Sequence, residues 1–381
     1  MYKYFIPIFI LSFSLLSPNF GKAAGFELQS PNKNIIIEEV SLSSFKEEAK
    51  FSEKRLIEYY PVSPSRMLED VLGEESKTKN DSQKFNFQIS KIYSYVKKIS
   101  ESINQEPVEP DFKLEEGRVI NFVLPEDGLK LYVYESSLDI LKNLQAGHST
   151  SSLQVYTEAP KKTLAETNSL GITELVSRGE SDFSGSPANR RHNIKVGTKK
   201  MKGVILEPGE EFSFNKFLGP VIAKEGYLPE LVIKRNGTIS ELGGGLCQIS
   251  STTFRAAIEA GIPITERKNH SYAVTYYAPQ GTDATIYPGH VDLKFINDTG
   301  SHLLIWPYIQ DYNKLIFDFY GTKDNRVVTI EDPVQYDKKP NGAMKATWTR
   351  NVFNNGTTTT DTFKSNYLPP ELFHEEETFI E

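Results

Sequence analysis

Cys247 is the only cysteine among 381 residues, and it follows Gly243, Gly244 and Gly245 where a segment that reads as a helix begins. A thiol in the first turn of a helix lies beside unpaired backbone N–H groups and the positive end of the macrodipole. Both favour the thiolate. Three glycines upstream leave room for a substrate backbone to approach the sulfur. Cys247 is therefore a candidate nucleophile; the alternative is a packed, inert thiol. The Gln248 side chain and the Cys247 N–H are candidate oxyanion donors.

Acyl transfer through a thiol also needs a general base and a group that fixes the tautomer of that base. His270 and Asp283 follow Cys247 in that order. His290 is the rival base, and Asp283 has the alternative task of capping the Gly281–Thr282 turn. Arg190 and Arg191 are candidate grips for a substrate carboxylate, as is Arg267; a solvated pair is the plainer reading of the first two. Cys247, His270, Asp283 and His290 are also zinc-ligand types, but no tightly spaced pair joins them, so no metal and no cofactor is expected.

The elements that must position these residues are short. The Cys247 helix is expected to stop at Gly261, with Ile262–Arg267 a strand or turn. Ser271–Tyr277 is read as a strand opened by His270, and Ala284–Tyr287 as the next, opened by Asp283. Ser250–Thr253 are poor helix formers, which points to close packing against a strand rather than to chemistry. Residues 291–296, 303–308 and 314–320 alternate apolar and polar types, as meander strands do. The expected class is α+β, an antiparallel sheet packed on the helix that carries the cysteine, with a smaller α+β module before it. Regular alternation of helices and strands, the mark of a parallel α/β fold, is missing.

Composition narrows the setting. An apolar run from Tyr4 to Leu16 follows Lys3 and precedes Ala23 and Ala24, the pattern of a secretory leader over residues 1–24. It is shorter than the roughly 20 residues of a membrane span, although an uncleaved anchor is the alternative. No cysteine stands near the cleavage point, so a lipid anchor there is excluded. Removing Lys3 and Lys22 leaves a net charge of about −9 in place of −7. That excess argues against nucleic acid or an anionic membrane as partner. The expected location is outside the cytoplasm, in the periplasm or cell envelope, with no transmembrane span after cleavage. One exported cysteine has no internal disulfide partner. Nothing in the sequence sets the oligomeric state.

Between the leader and the cysteine region, residues 25–83 are the least legible. They offer a strand near 34–40, a charged helix over 43–60 and a polar linker over 73–83. A helix is expected from about 85 to 105. Strands follow at 110–114, 117–124 and 128–134, then a helix at 137–145 and a strand at 153–156. This 84–165 module carries no cluster of catalytic residue types and reads as a binding or spacer unit.

Seven spaced pieces are similar to the VanW-like domain of bacterial envelope proteins. They are Asn189–Ile194, Pro208–Glu210, Phe212–Asn215, Gly226–Tyr227, Gly243–Ser251, Glu266–Arg267 through His270–Ser271, and Gly281–Thr285. The resemblance runs over about 166–324. Residues 84–165 resemble the peptidoglycan-binding module that often precedes this domain, and 325–381 look like its usual strand-rich extension. The family's name is tied to glycopeptide-resistance gene clusters, and some members are implicated as L,D-transpeptidases. The resemblance thus implies peptidoglycan stem peptides as partners and Cys247 as nucleophile. The order Cys, His, Asp is also that of papain-like and transglutaminase-like enzymes. A peptidase or amidase on the same stems, and a non-catalytic wall-binding protein, remain the competing classes.

Overall fold

A computed structural model describes residues 26–29, 35–37, 89–234 and 237–373. The expected leader, the helix over 43–60 and the linker over 73–83 lie outside the described residues. The mixed α+β class is as expected, with several antiparallel sheets and few helices.

The chain forms two compact units. The smaller includes the described residues up to Pro107 and Asp127–Ala159. Its helix α1, Ile89–Ile103, turns Ile92, Val96 and Ile103 inward, a spacing that keeps them on one face. Helix α2, Val133–Gln145, meets it through Ile140 and Leu141. Tyr134, expected at the end of a strand, lies inside α2, and the preceding strand stops at Leu131. Strand Phe26–Gln29 runs antiparallel to Ile35–Ile37 and parallel to Thr150–Ser152, and its Phe26 and Leu28 complete the core.

The larger unit takes Val108–Glu126 and the described residues from Pro160 onward. The stretch expected as one module over 84–165 is therefore divided. The hairpin Asp111–Glu115/Arg118–Val123 forms the edge of the larger unit's sheet. That sheet has six antiparallel strands in the order Asp111–Glu115, Arg118–Val123, Val204–Leu206, Leu303–Gln310, Lys314–Gly321 and Glu174–Asp182. Alternation assigns its faces. Leu303, Ile305, Leu315, Phe317 and Phe319 enter the main core, while Leu304 and Tyr320 join Val119 and Phe122 on the other side.

The main core is closed by helices α3, Ala188–Met201, α4, Phe214–Leu218, and α5, Leu246–Glu259. Helix α5 lies close against strand Glu174–Asp182 because the facing positions are small: Ser177, Gly179 and Ser181. Ser177 Oγ donates to the Ala256 carbonyl at 2.8 Å, and Ser181 shares a 2.6 Å hydrogen bond with Thr252. A methyl built on Gly179 would overlap the Thr252 carbonyl oxygen. Ser250–Thr253 are fully buried, and the Thr252 and Thr253 hydroxyls satisfy themselves on carbonyls one turn back. Close packing is indeed what this polar stretch serves.

The C-terminal extension is a second sheet. Its long hairpin pairs Met344–Asn354 with Thr357–Tyr367, and Val327–Ile330 and Val334–Tyr336 flank the first of these strands.

Candidate functional site

Helix α5 starts from Gly245, whose φ of 108° is open only to glycine at low cost, after Gly243 at 85°. Cys247 stands in the first helical turn and is half-buried. Its sulfur lies 3.5 Å from the Thr285 hydroxyl and 3.7 Å from the Ile286 carbonyl.

His270 and Asp283 meet beside it. The Nδ1 of His270 is 2.6 Å from Asp283 Oδ2, and the same oxygen accepts the His270 backbone N–H at 2.7 Å. Asp283 is 1 % exposed and His270 5 %. The His270 ring stacks on Tyr277 at 4.3 Å between centroids. Its Nε2 is buried with no well-aligned hydrogen bond among the described residues, and the imidazole lies close enough to Cys247 to shift its ionisation.

The electrostatics follow from this packing. Burial alone would raise the Cys247 thiol and lower the His270 imidazolium. The approach and charge of His270 reverse the first, helped by the Ile286 backbone and the Thr285 hydroxyl, so the thiol falls below its ordinary value. Asp283 and Cys247 reverse the second and push His270 up to about 9. Burial also opposes ionisation of Asp283, but His270 and Arg267 hold its carboxyl well below the usual range. The three groups form an ion system in which a thiolate and an imidazolium favour each other.

His270 and Asp283 sit on loops, not on the two strands expected. The residues after His270 are strand-prone in type, but side chains claim their backbone groups. Arg255 donates to the carbonyls of Tyr277 and Ala278, and Gln280 Nε2 donates to that of Val274. The chain bends and closes in a short 3-10 turn at Thr275–Tyr277. Around Asp283 the same thing happens. Ser250 and Ser251 on α5 donate to the Ala284 carbonyl, the Ala284 N–H donates back to Ser251, and Arg267 Nε takes the Asp283 carbonyl at 2.7 Å. With no ladder left to form, the loop is pinned to the helix that carries the cysteine.

Other expectations need correction. Gly243, Gly244 and Gly245 do not open a path to the sulfur. A methyl on Gly244 would meet Glu230 and the Leu231 carbonyl at 2.8 Å, and one on Gly245 would meet Arg190 Cγ at 2.8 Å. The glycines let the chain pack against its own neighbours. Gln248 is fully buried, with its amide oxygen on Arg190 at 2.9 Å and its nitrogen toward the Asp182 carbonyl at 3.4 Å, so the amide is not offered to an oxyanion. Arg190 is likewise turned inward, to Ser186 Oγ and Gln248, with its guanidinium 4.1 Å from the Tyr276 ring centroid. Arg267 is spent on Asp283, the Gly281 carbonyl and Ser365. Neither of these two arginines is a free carboxylate grip. Arg191 is exposed; it lines a 420 Å³ surface pocket with Lys195 and Tyr312. His290 is exposed on a turn and stacks on Tyr287, whereas Asp283 is paired with His270.

Residues 189–320 match the sequence model of the family described as VanW like protein. This segment is a VanW-like domain. It contains Arg190, Cys247, His270 and Asp283 alike. The chain is 28 % identical over 220 residues to the uncharacterized protein YoaR of Bacillus subtilis, covering 56 % of this chain and 69 % of that one. It is also 28 % identical over 163 residues to the vancomycin B-type resistance protein VanW of Enterococcus faecalis, covering 40 % of this chain and 58 % of that one. No solved structure matches. Two contributors to the site of the VanW-like domain escape sequence reasoning. Thr285 lies two residues beyond Asp283, at the end of the Gly281–Thr285 piece. Tyr367, which donates to Asp283 Oδ1 at 2.6 Å, comes from the extension 84 residues downstream with no local signal.

Proposed function

We propose that the protein is an exported cysteine acyltransferase of the L,D-transpeptidase type, acting on peptidoglycan stem peptides. The observation that carries this reading is the placement of Cys247, at the start of α5, beside a buried His270 whose Nδ1 is held by a buried carboxylate, an arrangement that lowers the thiol below its ordinary value. A merely packed cysteine needs neither the charge partner nor the fixed tautomer. The wall substrate rests on the resemblance to the VanW-like family, one of whose members is named for vancomycin resistance.

In the proposed sequence the Cys247 thiolate attacks the carbonyl on the amino side of a D-residue. Charge building on the carbonyl oxygen is met by the Cys247 N–H, since the Leu246 and Gln248 N–H groups already donate to the Gly243 and Gly245 carbonyls. The C–N bond breaks as His270 gives its proton to the departing amine, leaving a thioester. An amine of a second stem gives a proton to His270, attacks the thioester carbonyl and breaks the C–S bond. A cross-linked stem and the thiolate result. Incubation of purified protein with stem-peptide fragments, followed by mass analysis, tests this. Dimers with loss of the D-residue support the reading. Shortened monomers alone assign a peptidase, and unchanged substrate with tight sedimentation on sacculi a binding protein.

A further inference from the structure

The carboxylate of Asp283 has two oxygens with different duties. Oδ2 accepts both the backbone N–H and the ring Nδ1 side of His270. Oδ1 is taken by Tyr367 at 2.6 Å and by Arg267 at 3.3 Å. The Tyr367 hydroxyl also accepts the Gly281 N–H at 2.7 Å, two residues before the carboxylate. One buried hydroxyl thus ties the Asp283 side chain to its own backbone turn.

The strand that brings Tyr367 belongs to the hairpin Met344–Asn354/Thr357–Tyr367, beyond the VanW-like segment. The same hairpin sends Trp348 Nε1 to the Gly281 carbonyl at 2.8 Å, and Ser365 Oγ to Arg267. Just past its end, the Leu368 N–H takes the Ser271 carbonyl at 2.7 Å, beside His270. The extension therefore grips both loops that carry the charge partners of Cys247.

We propose that Tyr367 is a positioning residue for the Cys247–His270–Asp283 group: its hydroxyl holds Asp283 Oδ1 so that Oδ2 fixes the His270 ring. The C-terminal hairpin is then a working part of the site. The inference rests on the reading of Cys247 as nucleophile, but it concerns the carboxylate behind it. The groups that face the pair are Cys247 and Arg255 from α5, Arg267 and Tyr277 from the loops, and Tyr367 from the hairpin. Loss of a neutral donor raises the proton affinity of the carboxylate and frees its rotation. Both effects weaken its hold on the imidazolium.

The test is iodoacetamide alkylation of Cys247 in the full chain as a function of pH, with NMR of the proton on His270 Nδ1. In Tyr367→Phe the acid limb of the alkylation profile moves to higher pH, the rate near pH 6 falls about tenfold, on the scale of one hydrogen bond to a charged group, and the downfield Nδ1 proton signal is lost. Thr360→Ala, which removes a hydroxyl bonded to Asn351 on the same hairpin, leaves both readouts as in wild type. Should Tyr367→Phe not fold, Tyr367→3-fluorotyrosine keeps the shape and makes the hydroxyl a better donor, and it moves the limb to lower pH. A profile and proton signal that do not change in the folded variants overturn the assignment. Failure of the reading beneath it looks different: wild-type Cys247 then reacts no faster than a free thiol, while the Nδ1 signal still responds to Tyr367.

Discussion

Tyr367 and Asp283 stand 84 residues apart in the chain, yet their side chains share a 2.6 Å hydrogen bond in the interior. The bond joins the C-terminal hairpin to the loop that orients His270, so the chemistry of the site and the folding of the extension are coupled. A polar contact of this kind is costly to leave half-made in a buried setting. Damage to the hairpin is therefore expected to show first in the ionisation of Cys247.

Cys247→Ala removes the nucleophile and should lower transpeptidation about 1000-fold or more. The sulfur packs against the main core beside His270, so its removal should also lower stability, by about 0.5–3 kcal/mol. Product analysis with stem peptides and a parallel thermal melt read the two effects. Wild-type levels of cross-linked product from the folded variant would remove Cys247 from the mechanism.

His270→Ala takes away the cation that offsets burial of the thiol, so the Cys247 pKa should rise above its ordinary value. His290→Ala should leave it unchanged, because His290 is on the surface and Asp283 is paired with His270. Alkylation rates from acid to alkaline pH separate the two. The opposite pattern transfers the role of base to His290.

The helix under Cys247 is legible because glycines, a small-residue stretch and Gly261 mark its start, face and end. The order Cys247, His270, Asp283 is legible too, but not the structures that bring them together. Val274, Thr275, Tyr276 and Tyr277 have strand-forming shapes, while the partners that cancel the strand, Arg255 and Gln280, act from elsewhere in the chain. Gly243–Gly245 read as an open approach because sequence cannot show that Glu230 and Arg190 fill the space beside them. The strand-rich character of the extension was visible. Its contact with Asp283 was not, since one tyrosine at the end of a hairpin carries no pattern.

The pH dependence of stability has a definite sign. His270 is raised from 6.5 to about 9 in the folded protein. Its contribution is fully present below about pH 6.5 and is lost as pH rises through 9. Asp283 is depressed, so its contribution is present above the ordinary carboxylate range and is lost as pH falls below it. The lowered Cys247 thiol has the opposite sign in the same window: its contribution grows as pH rises from its folded toward its unfolded value and is complete above the latter, so it offsets part of the His270 loss. Thermal midpoints measured across this range should decline above pH 6.5 in wild type, and that decline should vanish in His270→Gln. An equal decline in the variant would mean that His270 does not titrate as the packing requires.

Gly179→Ala tests how α5 is seated. The added methyl would overlap the Thr252 carbonyl and crowd Ala256, so helix and strand must separate. Overpacking of this kind costs about 1–3 kcal/mol, with a lower denaturation midpoint. Because α5 carries both Cys247 and the serines that pin the Asp283 loop, alkylation of Cys247 should slow as well. A variant as stable as wild type would show that the strand and helix are less tightly opposed.

Residues 84–165, which the sequence presents as a binding or spacer unit, are not cleanly removable. Deleting residues 84–160 removes the hairpin Asp111–Glu115/Arg118–Val123 along with both helices of the smaller unit, and leaves its strands Phe26–Gln29 and Ile35–Ile37 behind, the first without its core partners. Val119 and Phe122 of that hairpin lie in a core with Leu304 and Tyr320, and the Phe122 ring meets Trp306 and Tyr320 at 5.3 and 4.8 Å. Loss of one such phenylalanine side chain alone costs about 3–5 kcal/mol, and strand Val204–Leu206 loses its neighbour on that side. The deletion should therefore yield an unstable or insoluble VanW-like domain, and weakened sacculus binding in that form would say nothing about the smaller unit. A binding role is tested instead in the full chain, by substituting exposed aromatic residues of that unit. Tyr132, stacked on Tyr156 at 4.2 Å, is the first choice. If the unit holds peptidoglycan, Tyr132→Ala should reduce sedimentation with sacculi severalfold and leave Cys247 alkylation unchanged, since binding energy remote from the sulfur does not activate the thiol. Unaltered sedimentation in Tyr132→Ala would take this aromatic pair out of wall binding.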